Sequence, residues 1–117
     1  MANRHRGEID AELDGRVHTL VLTLGALAEL EERFAASDLA SVATRFENGR
    51  ISARDLQIII GCGLRGAGAD LSDEDVARMT VSGGLQGYVQ IAARLLAATF
   101  GDDAEGATAF PPGPQDA

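Results

Sequence analysis

The stretch with the most suggestive chemistry is Gly61-Cys62-Gly63-Leu64-Arg65-Gly66, preceded by the branched run Ile58-Ile59-Ile60. Its glycine spacing matches the dinucleotide-binding pattern, in which a strand and tight turn deliver a pyrophosphate to a helix N-terminus. The context argues against that chemistry. Gly66 leads into Ala67-Gly68-Ala69-Asp70 rather than a helix, and Val81-Ser82-Gly83-Gly84 stands where a ribose-binding acid would end a second strand. The alternative is that Gly61, Cys62 and Gly63 allow close helix packing. Cys62 stands near Arg65 but has no histidine at an activating spacing, so a buried structural thiol is expected. His5 and His18 are too few and too far apart to mark a metal site. No catalytic residue, cofactor or metal ligand is assigned.

A second stretch resembles calcium chemistry. Asn48-Gly49-Arg50-Ile51-Ser52-Ala53-Arg54-Asp55-Leu56 is similar to the second half of an EF-hand loop and its exiting helix. Leu71-Ser72-Asp73-Glu74-Asp75-Val76-Ala77-Arg78-Met79 looks like the next helix of the calmodulin-like proteins. Calcium requires six to eight converging oxygens. Aligning Gly49 with the obligatory glycine puts Thr44 and Phe46 in ligand positions, and Asp55 replaces the bidentate Glu. Phe46 has no oxygen to offer, so a degenerate EF-hand-like regulator is kept only as an alternative.

The elements around these stretches are legible from local pattern. Glu8-Ile9-Asp10-Ala11-Glu12-Leu13 alternates, Asp14-Gly15 supplies a type I′ turn, and Arg16-Val17-His18-Thr19-Leu20-Val21-Leu22 returns. A two-residue turn sets Leu13 opposite Arg16, Ala11 opposite His18 and Ile9 opposite Leu20. One face then carries Ile9, Ala11, Leu13, Leu20 and Leu22, and it needs cover from helices. Thr23 caps a helix to about Phe34 with Leu24, Leu27, Leu30 and Phe34 inward and Glu29, Glu31, Glu32 and Arg33 toward water. Ser37 caps a second, with Leu39, Val42, Ala43 and Phe46 inward and Asn48-Gly49 as its stop. Ser52-Ala53-Arg54-Asp55 reads as a capping box for a third helix through Leu56, Ile59, Ile60, Gly63 and Leu64. Ser72 opens a short fourth helix whose three acids suit its dipole. A last helix runs from about Leu85 to Phe100, with Leu85, Tyr88, Val89, Ala92, Leu96 and Phe100 inward and Gly101 ending it. The fold class is mainly α (α+β): an N-terminal two-stranded hairpin packed on four to five short helices. The expected organisation is a flexible 1–6, one domain over 7–101 and a disordered tail over 102–117.

Composition narrows the partners. The chain has 117 residues, a formal net charge of -8 and 4% aromatic residues. All ten cations are arginines, scattered along the chain, which opposes nucleic acid as a partner. No apolar run approaches the ~20 residues that span a bilayer, so no membrane partner is expected. One cysteine and no signal-like start point to a reducing cytoplasm. Val17, Val21, Ile58 and Leu95 fall off the assigned core faces and are the candidate protein-binding residues.

Taken in order, the hairpin, the stretch Leu20-Val21-Leu22-Thr23-Leu24-Gly25-Ala26-Leu27-Ala28-Glu29-Leu30-Glu31, the Gly49–Leu56 segment, the Gly63–Gly68 break and Leu71–Val76 resemble a known family. They are similar to the small tail proteins of gene transfer agents and siphophage-like particles, over roughly residues 7–101. That resemblance implies tail morphogenesis in the bacterial cytoplasm and carries two descriptions: a tail tube protein, and a tail-assembly chaperone for the tape-measure protein. It supplies no catalytic or ligand residues. Tube subunits typically build rings from extended β-sheets, whereas this chain offers one hairpin, so the chaperone is the expected role, with a structural tail component as the alternative. A tape-measure or other tail protein is the expected partner, and a homo-oligomer is allowed.

Overall fold

The computed structural model describes residues 7–34 and 39–100. The elements run β1 (Glu8–Leu13), β2 (Arg16–Val21), α1 (Leu24–Phe34), α2 (Leu39–Glu47), α3 (Ala53–Gly66), α4 (Asp73–Ala77) and α5 (Leu85–Phe100). The expectations for residues 1–6, the Ser37 cap, the Gly101 stop, the 102–117 tail and the side chains of Leu39 and Ala43 lie outside the described residues.

The hairpin forms because Asp14 and Gly15 both take positive φ, 59° and 79°, as a type I′ turn requires. Its register pairs Leu13 with Arg16, Ala11 with His18 and Ile9 with Leu20, as the turn length dictates. Ile9, Ala11, Leu13, Leu20 and Leu22 are all buried, so one face of the ribbon rests on the helices. The other face carries Glu8, Asp10 and Glu12 beside Val17, Thr19 and Val21, with the Thr19 hydroxyl donating to Asp10 Oδ1 at 3.2 Å.

Caps set the helix starts. Thr23 Oγ1 accepts the Ala26 N–H at 3.1 Å at the head of α1. Ser52 and Asp55 exchange hydrogen bonds in a complete capping box, and Ser72 and Asp75 repeat it for α4. Gly49, at φ 73°, lets the chain turn after α2.

α3 is the centre of the molecule. It packs against β2, α1, α4 and α5. Leu56 and every residue from Ile58 to Leu64 are buried, the pattern of a helix covered on several sides rather than along one stripe. Its glycines make that possible. A Cβ on Gly63 would lie 2.6 Å from Leu95 Cδ2 and 3.2 Å from the Leu20 side chain, so α3 touches α5 and the hairpin at one residue. A Cβ on Gly66 would collide with the Val21 carbonyl oxygen.

Two helix faces differ from the expected stripes. In α1, Leu24 is 84% exposed, while Ala26 and Leu30 are buried. Leu24 is the first helical residue, and Ala26 rather than Leu24 lies toward Gly66 of α3. In α5, Leu85 is 64% and Phe100 40% exposed, and Ile91, Ala92, Leu95 and Leu96 form the core face. Gly87 nests against the Ser82 carbonyl, so the first turn of α5 folds onto the preceding turn.

Candidate functional site

The four residues expected to bind protein do not share a surface. Val17 is 73% exposed on the outer face of β2. Val21 is half-buried and lines a cleft of about 530 Å³ with Glu8, Thr19, Leu22, Thr23, Gly66 and Ala67. Ile58 and Leu95 are core residues, 3% and 0% exposed, which corrects their assignment to a free face. Ile58 falls off a single-stripe reading of α3, but α3 has no single stripe. Leu95 falls off the assumed phase of α5, which is rotated.

The glycine-rich stretch lies inside α3, not at the turn between a strand and a helix. It organises a ring of charge instead. Arg65 Nη2 donates to Glu29 Oε2 at 2.7 Å, and Arg65 Nη1 donates to Asp73 Oδ1 at 3.1 Å and to the Leu71 carbonyl at 3.0 Å. Arg33 closes the ring, 2.6 Å from Asp73 Oδ2 and 3.6 Å from Glu29 Oε2. Glu29 and Arg33, expected to face water, therefore join α1 to α3 and α4. A Cβ on Gly61 would lie 2.7 Å from Asp73 Oδ1, so this glycine gives the carboxylate its place.

Beneath the ring, Cys62 is fully buried. Burial first, and the nearby Glu29 carboxylate second, push its thiol pKa up to about 12, against a smaller opposing pull from Arg65. Such a thiol stays protonated and is a poor nucleophile.

The EF-hand-like segment is used as a helix connection. Asp55 Oδ2 accepts the Ser52 N–H at 3.0 Å and pairs with Arg45 at 3.2 Å, so its carboxylate is committed to a cap and an ion pair. Thr44 and Phe46 lie within α2. Among the described residues, no group of three or more acids, histidines or cysteines is placed to hold a metal ion.

An apolar groove of about 370 Å³ lies between α3, α4 and the start of α5. Leu56, Ile60, Val76 and Tyr88 wall it, and Leu85 stands at its rim. The Tyr88 hydroxyl donates to the Met79 carbonyl, which fixes the ring as a wall. The sequence reading missed this groove because Leu85 was placed in the core. The double glycine before Leu85 was a usable signal that the first turn of α5 departs from the rest.

A family model described as phage tail tube protein, GTA-gp10, matches residues 6–102. The chain belongs to that family. No curated protein and no solved structure matches it. Membership in the GTA-gp10 family gives the chain a tail-related structural role. Among the described residues, no helix is long and apolar enough to cross a membrane.

Proposed function

We propose that this protein acts in the bacterial cytoplasm as a tail-assembly chaperone that binds the tape-measure protein. The observation that carries the reading is the open apolar groove of α3, α4 and α5, with Leu85 64% exposed at its rim. Such a groove suits the apolar side chains of an amphipathic helix, the helix-in-groove mode of recognition. The net charge of -8 would help keep a client complex in solution. The β-structure of the described residues is one two-stranded hairpin, little material for a ring of extended sheets.

A structural component of the tail tube is the second reading, and the description of the family favours it. Co-expression with the tape-measure protein separates the two. The chaperone reading expects a co-purifying complex that Leu85→Asp abolishes while the helical circular dichroism is kept. It fails if the client stays insoluble and unbound and this chain is instead a stoichiometric part of purified particles.

A further inference from the structure

The two edges of the hairpin differ. The pair flanking a two-residue turn exchanges its backbone hydrogen bonds, and the pattern then alternates along the ladder. With Leu13 opposite Arg16, the backbone groups of Arg16, His18 and Leu20 point at β1, and those of Val17, Thr19 and Val21 point away. By the same rule Glu8, Asp10 and Glu12 point away from β2.

The outer edge of β1 is closed. Arg94 of α5 donates to the Asp10 carbonyl at 2.7 Å, and α5 packs along the strand. At the turn, the Asp14 N–H donates to the Thr80 carbonyl at 2.7 Å. Among the described residues, the outer edge of β2 is closed at its far end, where Gly66 sits against the Val21 carbonyl. Among the described residues, nothing hydrogen-bonds the backbone N–H or C=O of Val17 or Thr19. An open strand edge is ordinarily blunted by lysines, a proline or a bulge. β2 has none of these, and its single full charge, Arg16, sits at the turn.

We propose that the open edge of β2 pairs with the same edge of a second copy of this chain, antiparallel across a twofold axis, with Val17 opposite Thr19 of the partner. Each of the two Val17–Thr19 pairs would exchange two backbone hydrogen bonds, giving a four-stranded sheet ordered β1-β2-β2-β1. β-Branched side chains would meet across the new seam, a favourable cross-strand pairing that covers Val17.

Charge selects this edge for a chain of net charge -8. The outer-face acids Glu8, Asp10 and Glu12 are all on β1, and Val17, Thr19 and Val21 of β2 are uncharged. Joining two β2 edges sets the two acidic rows three strand spacings apart, about 14 Å. That exceeds the ~8 Å screening length at physiological salt. Joining two β1 edges would set the rows about 5 Å apart.

The inference stands independently of the chaperone reading. Sedimentation equilibrium of the full chain from about 1 to about 200 µM tests it, because pairing follows mass action. The expected result is a reversible shift from 12.2 kDa to twice that mass. The Val17 and Thr19 amides should then exchange slowly with solvent at high concentration and quickly when dilute. Val17→Lys and Thr19→Pro should each hold the chain at monomer mass. The Thr19 N–H points away from β1, so the proline leaves the hairpin ladder intact; if it disturbs folding, Val17→Lys decides, since Val17 is exposed. A chain that stays monomeric overturns the proposal. So does a dimer that survives Val17→Lys, or amide protection that appears only when a different tail protein is added.

Discussion

At the residue scale, the glycines of α3 carry the packing. Gly63 stands between Leu20 and Leu95, and a methyl group there has no free volume. Gly63→Ala is expected to cost about 1–3 kcal/mol, the usual range for overpacking a filled core. Urea denaturation measures it, and an unchanged midpoint would refute the close approach. Cys62 gives a second expectation. Its thiol titrates near 12 in the folded chain and near ~8.5 once unfolded. Above the unfolded value the denatured chain releases a proton that the native chain keeps, so the native state loses ground as pH rises. Stability should therefore fall progressively from about pH 9 upward. A series of denaturation midpoints against pH should show a slope that Cys62→Ala removes; identical slopes in both proteins would exclude the thiol as its source.

At the element scale, what the sequence made legible was local. The Asp14-Gly15 turn, the Ser52 and Ser72 capping boxes and the Gly49 stop each depend on a few adjacent residues, and each is found. Helix phase was harder to read, because it depends on what lies opposite. Leu24 and Leu85 look like stripe residues by spacing, yet each begins its helix and is exposed. The ionic ring joins residues far apart in sequence, and Glu29, Arg33, Arg65 and Asp73 give no local sign of their partners. The candidate groove was missed for the same reason, since its rim depends on how α5 begins. The ring yields its own expectation. Asp73→Asn removes one corner from two arginines and should lower stability by about 1 kcal/mol at low salt, allowing for its partial exposure. The loss should shrink at about 1 M salt, where screening acts over ~3 Å. Thermal melts at both ionic strengths check this, and a salt-independent penalty would point to packing instead of charge.

At the scale of the whole molecule, the asymmetry of the hairpin has an effect on assembly. Arg94 holds the Asp10 carbonyl on one side of the ribbon, while Val17 and Thr19 keep their backbone groups outward on the other. Arg94→Ala is expected still to stop at two copies at high concentration, read by light scattering, because α5 packs along that strand and the acids Glu8, Asp10 and Glu12 repel a second β1 edge; species heavier than a dimer would show that this arginine alone is the block. A unit with a single adhesive side can satisfy it only once. Association is then self-terminating, and a helix, a guanidinium and a row of carboxylates on the far side separate a finite pair from an endless ribbon.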